Sequence, residues 1–381
     1  MDITRTAREQ ALRRRRKGRW IKVAAFPTLL LATAVLSVLT LNHVQNQSGG
    51  NIPQNSPAPI EPSKQETKEV TLHFVGDVML SDKVEDLLEQ KGYDYPYLYV
   101  KTLFQQDDLT IANLETPVTE RGTPAANKQF VYKSSPAGLP PMKAAGVDLV
   151  NLANNHSMDQ GTEGLSDTFQ HLTDQQIAFV GAGMNADQAY APVMIERNGI
   201  TMAVFGFSRV VPEVSWYAGA NKPGVAASYD PQRAAEAIRE ARDKADIIIV
   251  LAHWGQEKVD HPVDHQISLA HAYIDAGADL VVGCHPHVLQ GFEAYKGKWI
   301  AYSLGNFIFS RAVQPKTWES MVLQAQCSQN GGCRLTMLPY HAELGQAVPM
   351  DETDGAKLIK RVESISRDVQ IDLSGRVQQR M

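Results

Sequence analysis

The sequence of 381 residues predicts an α/β fold. From Val70 onward, short apolar runs typical of β-strands alternate with segments whose apolar residues recur at helical spacing. With 43% apolar and 21% charged residues, the chain has the composition of a globular protein and enough length for a sizeable core. A disordered protein is therefore excluded for most of the chain.

The first 41 residues differ from the rest. Residues 1–22 hold nine Lys/Arg and two Asp/Glu, a balance of +7 that leaves −12 for the remainder. Residues 23–41 carry no charge and, at about 1.5 Å per residue, suit a transmembrane helix whose basic flank stays cytoplasmic. A cleavable signal peptide is the alternative, but no Ala-x-Ala site follows. We expect a single-pass protein of the cell membrane with its C-terminal domain extracytoplasmic.

Residues 42–69 are rich in Asn, Gln, Ser and Pro and almost free of large apolar side chains. Such a segment buries too little surface to offset its ordering entropy. It is therefore predicted to be a flexible linker that leads to the globular part.

Six strands and four helices are predicted in the globular part, each from its periodicity and its terminal residues. The strands are expected at 70–77, 109–115, 147–156, 245–255, 278–287 and 299–306. The helices are expected at 81–92, 161–175, 230–245 and 264–278, with Asp230 capping the third before Pro231. Residues 192–208 are expected to form an antiparallel hairpin that turns at Asn198-Gly199.

A second hairpin is predicted in residues 311–345, where an Asn-Gly-Gly turn lies between Cys327 and Cys333. Cysteines on facing strands outside the cytoplasm can form a disulfide; the alternative is two small buried thiols. Residues 346–381 form a polar C-terminal segment with one predicted helix at 353–368.

Polar side chains follow the apolar runs at the positions where the strands end. They are Asp77, Glu115, Asn154, Asn155, His156, His253, His285, His287 and Asn306. In open α/β sheets, ligands bind at the carboxyl ends of the strands. Carboxylate, amide oxygen and neutral imidazole are ligands for a divalent metal, so Asp77, Glu115, Asn155, His253, His285 and His287 are the candidate ligands.

Six segments resemble, in order and spacing, the CapA family of poly-γ-glutamate capsule biosynthesis proteins, also called PgsA. They are FVGDVML, ANLETPVT, NLANNHSMDQG, AHWGQE, GCHPHVLQ and YSLGNFIF, which together fall within residues 70–310. The resemblance implies a calcineurin-like metallophosphatase fold, an α/β/β/α sandwich, preceded by one transmembrane helix. It also implies an anionic polymer, poly-γ-glutamate, and other subunits of a capsule synthase complex as partners; no nucleic-acid partner is expected.

The resemblance assigns roles to residues and shows one departure. Glu115 resembles a carboxylate that bridges two metals, with Asn155, His253 and His285 on one side and Asp77 and His287 on the other. The metallophosphatase pattern begins with Asp-x-His, whereas this sequence has Asp77-Val78-Met79, so one or two ions of Mn, Fe or Zn are expected.

If metal is bound, His156 is expected to act as a general acid oriented by Asp159. The alternative for His156 is a role in supporting or capping the loop.

Two functional classes follow. The first is a metal-dependent hydrolase or transferase of phosphate or amide bonds, acting on the polymer or on another envelope substrate. The second is a noncatalytic subunit that binds or guides the polymer. Because the ectodomain is acidic, binding of a polyanion requires a local basic patch or bridging cations.

Other polar residues are given structural interpretations. Asn154 and Asn306 are expected to shape loops, and Asp264 to cap a helix next to His261 and His265. Cys284 is expected to be a small buried thiol, and the Tyr-rich segment 93–100 a packing loop.

Overall fold

The structure, a computed structural model, describes residues 68–380. The predicted basic tail, the transmembrane helix at 23–41 and nearly all of the linker lie outside these residues. Within residues 68–380, none of the helices has the length and apolar character needed to cross a bilayer.

The described chain alternates strands and helices, as predicted. The strands are β1 (Glu69–Val78), β2 (Leu109–Leu114), β3 (Val147–Asn151), β4 (Ala178–Val180), β5 (Ala182–Gly183), β6 (Val193–Arg197), β7 (Ile200–Ser208), β8 (Gly224–Val225), β9 (Ile247–His253), β10 (Leu280–Cys284), β11 (Phe292–Tyr295), β12 (Lys298–Ala301), β13 (Asn306–Ile308), β14 (Glu319–Ser328), β15 (Cys333–Glu343), β16 (Gln346–Pro349), β17 (Val369–Ile371) and β18 (Arg376–Gln379). The helices are α1 (Lys83–Lys91), α2 (Lys101–Phe104), α3 (Leu139–Ala145), α4 (Gly161–Asp174), α5 (Ala186–Tyr190), α6 (Gln232–Arg242), α7 (Asp264–Ala276) and α8 (Glu352–Ser364). The α/β class is therefore confirmed.

Two large sheets organise these strands. The first has the order β17-β18-β15-β14-β1-β2-β3-β4, with β13 also paired to β1 and β16 to β15. The second has the order β11-β12-β10-β9-β7-β6. Neighbours from β1 to β4 are parallel, as are β7, β9, β10 and β12, so each sheet brings several strand carboxyl ends to one edge.

The sheets pack face to face through apolar side chains such as Phe74 and Ile111 of the first sheet and Ile249 and Val282 of the second. The outer face of the first sheet is covered by α1, α3 and α4, and that of the second by α6 and α7. The layers are thus helix, sheet, sheet, helix, which is the expected sandwich.

Both predicted hairpins are present. β6 and β7 turn at Asn198 (φ 54°) and Gly199 (φ 70°), the left-handed angles that a two-residue turn of this kind requires. Cys327 and Cys333 face each other on β14 and β15 and form the expected disulfide.

Some predicted elements differ from those observed. The strand predicted at 299–306 is two strands, because β12 belongs to the second sheet and β13 to the first. Helix α7 begins at Asp264 with Val263 in the capping position, so Asp264 is not the cap. Asp230 does accept a hydrogen bond from the Gln232 amide (2.9 Å), but it lies one residue before the cap position of α6.

Residues 346–380 contain more regular structure than the one predicted helix. Residues 346–380 contain β16, α8, β17 and β18, and Leu358, Ile359 and Val362 of α8 join the core between the sheets. This segment therefore extends the first sheet and closes one side of the sandwich.

Candidate metal centre

The six candidate ligands meet at one edge of the two sheets. Asp77 is the penultimate residue of β1, His253 ends β9, and the others follow the ends of β2, β3 and β10. Five are buried, and the side chain of His287 is 12% exposed. The prediction that distant carboxylate and imidazole groups converge at one edge is confirmed.

Glu115 lies at the centre of this arrangement. Its Oε1 is 3.5 Å from Nε2 of His253 and 3.8 Å from Nε2 of His287. Glu115, His285 and His287 form one group whose potential ligand atoms lie within 4.8 Å of one another, and Asp77, Glu115 and His253 form another. The resemblance implied a different division, with His253 and His285 on the same side of Glu115.

Several buried polar atoms in the centre lack a hydrogen-bond partner among the described residues. They are both carboxylate oxygens of Glu115, Oδ2 of Asp77 and Nδ1 of His285. His287 Nδ1 is 3.1 Å from Asp77 Oδ2 but has a closer partner in Asn306 Oδ1 at 2.9 Å. Such orphaned atoms are destabilising unless something else binds them, and their chemistry suits a divalent cation.

Burial and neighbouring charges shift the pKa values of four of the candidate ligands. Burial, together with the negative charge of Asp77, raises the pKa of Glu115 well above its ordinary value. Burial lowers the pKa of His253 and of His285 well below the ordinary value, so both are neutral imidazoles, the form that binds metal. Burial opposes the charged form of His287, but the nearby Asp77 carboxylate raises its pKa above the ordinary value.

The backbone of the Gly-Cys-His-Pro-His segment is unusual. His285 has φ 98° and His287 has φ 56°, angles that residues other than glycine seldom adopt. Strained angles of this type persist where the surrounding structure requires them, and they are concentrated at functional sites. Here they direct two imidazoles, separated by Pro286, towards the same carboxylate.

Two buried asparagines, Asn113 and Asn151, hold the candidate ligands in position. The sequence analysis did not identify them as site residues. Asn113 Nδ2 donates to Asp77 Oδ1 (2.8 Å) and is 3.3 Å from His253 Nδ1. Asn151 Nδ2 donates in turn to Asn113 Oδ1 (3.0 Å). Each asparagine ends an apolar run next to a predicted ligand segment, and this position is the sequence signal that could have identified them.

Asn155 contacts the centre, and its neighbour His156 lies beside it. Asn155 Oδ1 is 2.7 Å from His253 Nε2. His156 Nδ1 is 2.7 Å from Asp159 Oδ2, as expected for an oriented imidazole, and its ring lies 4.5 Å from that of Tyr132. Burial lowers the pKa of His156.

Lys128 is a second residue that the sequence did not identify. Its Nζ is 2.7 Å from His156 Nδ1 and donates to Asp159 Oδ1 (2.5 Å) and to the Asn155 carbonyl (2.5 Å). Lys128 comes from a loop without regular structure, where no periodic pattern marks it. It therefore adds a cation to the His156–Asp159 pair.

Asn154 and Cys284 have the structural roles expected of them. Asn154 accepts from the His156 amide (3.0 Å) and donates to the Leu114 carbonyl (2.8 Å). Cys284 is a buried free thiol, and burial together with the charges of Asp77 and Glu115 raises its pKa well above the ordinary value. Met79 is fully buried in the core on the helix side of the first sheet.

His261 and His265, which the sequence places where α7 begins, belong to neither group of potential ligands. His265 Nε2 accepts from the Gly255 amide (3.2 Å), and His261 pairs with Asp260 at the surface.

Two solved structures align weakly with the chain. A sulfate thiohydrolase SoxB of Thermus thermophilus aligns with a TM-score of 0.39 and 14% identity over 73% of this chain. A 5′-nucleotidase of Candida albicans aligns with a TM-score of 0.41 and 12% identity over 70% of this chain. The chain spans about half the length of each, 56% and 52%, and neither alignment identifies an activity.

Similarity to other sequences is much stronger. The PGA biosynthesis protein CapA of Bacillus subtilis is 36% identical over 297 residues, which is 77% of this chain and 77% of that protein. The capsule biosynthesis protein CapA of Bacillus anthracis is 33% identical over 296 residues, 75% of this chain and 70% of that protein. The profile of the family described as "Bacterial capsule synthesis protein PGA_cap" matches residues 71–311, more than half of the chain and all six candidate ligands. The chain therefore belongs to this family of bacterial capsule synthesis proteins, to which the resemblance to CapA pointed.

Proposed function

We propose that this protein is a membrane-anchored, extracytoplasmic component of poly-γ-glutamate capsule synthesis or export. Family membership supports the process, since two relatives at 36% and 33% identity are named for PGA or capsule biosynthesis. The uncharged segment 23–41 behind a basic tail supports the membrane location. The other subunits of a capsule synthase complex are its proposed partners.

We further propose that the centre holds one or two divalent ions, Mn, Fe or Zn, and hydrolyses a bond of the polymer. The observation that carries this proposal is Glu115, a buried carboxylate with no hydrogen-bond partner for either oxygen among residues 68–380 and with imidazoles on two sides. Asp77, Asn155, His253, His285 and His287 complete the proposed ligand set. A metal bound there supplies a water of lowered pKa and neutralises charge on substrate oxygens.

The residues beside the ligands suit proton transfer. The Nδ1 of His156 is engaged by Asp159 and Lys128, so Nε2 is the nitrogen left for a substrate oxygen. Burial lowers the pKa of this imidazole, whereas the hydrogen bond and the charge of Asp159 favour the imidazolium form, which carries the proton on Nε2 that a general acid must give. His156 is therefore the proposed proton donor to the leaving group, and Asp159 and Lys128 are its positioning residues.

A noncatalytic role in binding the polymer is the second candidate. It is favoured by Met79, which stands where the metallophosphatase pattern has a histidine and lies in the core instead of at the centre. A third candidate is a phosphoesterase acting on another envelope substrate.

Activity screening of the purified full chain separates these candidates. The chain is supplied with Mn²⁺ and tested on γ-glutamyl polymers and on phosphoesters, beside the variant Glu115→Gln. Cleavage of the polymer that is lost in the variant supports the proposal, and cleavage of phosphoesters alone supports the third candidate. An inert chain whose gene is still required for capsule formation supports the noncatalytic role.

The proposed topology has its own test. One reporter, which works only in the cytoplasm, is fused after Met381; if this fusion is active, the extracytoplasmic location is wrong. A second reporter, which works only outside the cytoplasm, is fused at the same place; if this fusion is active, the extracytoplasmic location is supported.

A further inference from the structure

Arg209 follows the carboxyl end of β7, at the same edge as the candidate metal centre. Ser208 is paired with His253 in the register of β7 and β9, and the Arg209 amide donates to the His253 carbonyl (2.8 Å). The backbone of Arg209 is therefore fixed beside a proposed metal ligand. Its side chain has no role in the proposed hydrolysis.

The guanidinium group of Arg209 rests on an aromatic platform. Its central carbon lies 3.9 Å from the ring centre of Tyr229, and the ring of Tyr217 stacks on Tyr229 with centroids 5.7 Å apart. The Tyr229 hydroxyl is held by the amide (3.1 Å) and the carbonyl (3.2 Å) of Val211. A guanidinium stacked by its face keeps its N–H groups free at the edge, where they can bind two oxygens of one anion.

Comparison with the other stacked arginines shows what is unusual here. Arg233 lies over Tyr190 and is paired with Asp187 (2.9 Å), and Arg311 lies over Trp318 and is paired with Glu343 (3.0 Å). Arg209 has no ion pair and no side-chain hydrogen bond within residues 68–380. The Arg209 guanidinium is half-buried and held in one orientation, and it has no acidic partner among the described residues. These are the properties expected of a group that binds an anionic ligand.

We propose that Arg209 on its Tyr229 platform is an oxyanion-binding subsite that holds a carboxylate of the γ-glutamyl polymer beside the metal centre. The inference rests on the proposed function for the identity of the polymer. It also answers the electrostatic problem of an acidic chain with an acidic substrate, because it supplies the local cation that binding requires. A phosphate group presents the same pair of oxygens, so the experiment compares both anions.

The test measures binding of a fluorescent γ-linked glutamate oligomer to the full chain at fixed salt, with inorganic phosphate as competitor. An uncharged γ-linked glutamine oligomer serves as the control ligand. Arg209→Met is expected to weaken binding of the glutamate oligomer at least about tenfold, and Arg209→Lys by a smaller factor because it keeps the charge but loses the planar fork. Arg233→Met, which removes a stacked but paired arginine, is the matched control and is expected to leave binding unchanged.

Binding of the glutamate oligomer that is equal in wild type and Arg209→Met overturns the inference. So does a wild-type chain that binds neither anion, or one that binds the charged and uncharged oligomers equally. Binding of phosphate alone, lost in Arg209→Met, supports the oxyanion subsite and identifies phosphate as the source.

Metal content and polymer cleavage are measured on the same samples. If the wild-type chain holds no metal and cleaves no polymer, but its binding of the oligomer is lost in Arg209→Met, the subsite is supported and the catalytic proposal fails. If the chain holds metal and cleaves the polymer but binds it equally well in Arg209→Met, the catalytic proposal stands and the subsite is overturned.

Discussion

Glu115 is the residue on which the proposed centre depends most. It belongs to both groups of potential ligands, and its two oxygens are buried without partners among the described residues. A buried, ionised carboxylate without a hydrogen bond is destabilising, and a bound cation would offset this cost.

Asn113 gives a prediction at the residue scale. Asn113→Ala removes the donor to Asp77 and leaves Asn151 without its acceptor. Because groups that orient metal ligands contribute strongly to affinity, we expect Mn²⁺ to bind about 10- to 100-fold more weakly, measured by isothermal titration calorimetry. Asn221→Ala, at an exposed position, is the control. An affinity within twofold of wild type for Asn113→Ala contradicts a supporting role.

The raised pKa values of Glu115 and His287 give a prediction about pH. Without metal, both groups hold protons in the folded chain that they lose in the unfolded chain, so their contribution to stability falls as pH rises. A metal must displace these protons, so the rise in melting temperature caused by Mn²⁺ is expected to grow from about pH 5 to about pH 8. In Glu115→Gln this dependence on pH should be much weaker. A rise that is constant or falls with pH contradicts the proton competition.

At the scale of elements, the close approach of β1 and the segment before β13 holds the centre in place. The Gly305 carbonyl accepts from the Asp77 amide (3.0 Å), and a Cβ added to Gly76 would lie only 1.8 Å from that carbonyl oxygen. Glycine at position 76 therefore lets the chain that crosses between the sheets pass next to Asp77.

Gly76→Ala tests this packing. Overpacking is expected to lower the free energy of unfolding by at least about 1–3 kcal/mol, measured by urea denaturation, and to weaken Mn²⁺ binding because Asp77 is displaced. Gly355→Ala in α8 is the matched control, since its added Cβ meets only atoms at 3.5 Å or more. We expect that control to be neutral or to stabilise by up to about 1 kcal/mol through helix propensity. Equal stability of both variants contradicts the contact.

The elements that could be predicted from the sequence are those with a strong local signal. β1, β2, β3, β9 and β10 are apolar runs with polar residues at or just after their carboxyl ends, and the Asn198-Gly199 turn has a specific conformational requirement. The division of 299–306 into β12 and β13 could not be predicted, because one apolar run serves two sheets. β17 and β18 are short, and they are strands only because β18 pairs with β15 and β17 pairs with β18.

The same distinction applies to the candidate site. Side chains at the ends of strands could be located because parallel strands bring their carboxyl ends together. Lys128 and Arg209 could not be recognised as site residues, since their roles depend on contacts with His156 and with Tyr229 that are distant in sequence. Periodicity carries no information about such contacts.

At the scale of the whole molecule, the sandwich separates stability from function. Apolar cores lie between the two sheets and between each sheet and its helices. The carboxylates and imidazoles of the candidate centre lie at one edge of the sheets. The six proposed ligands come from five strand ends in both sheets. A centre of this kind exists only when the complete fold is formed, so metal binding is expected to stabilise the folded chain as a whole.

Metal content of the purified full chain tests the central claim most directly. After incubation with Mn²⁺, Fe²⁺ or Zn²⁺ and removal of unbound metal, elemental analysis is expected to find at least one equivalent of one of these metals per chain in the wild type and almost none in the double variant His285→Ala, His287→Ala. His261→Ala, at an exposed histidine outside both groups, is expected to match the wild type. A folded wild-type chain that retains no metal, or a double variant that retains as much as the wild type, contradicts the claim.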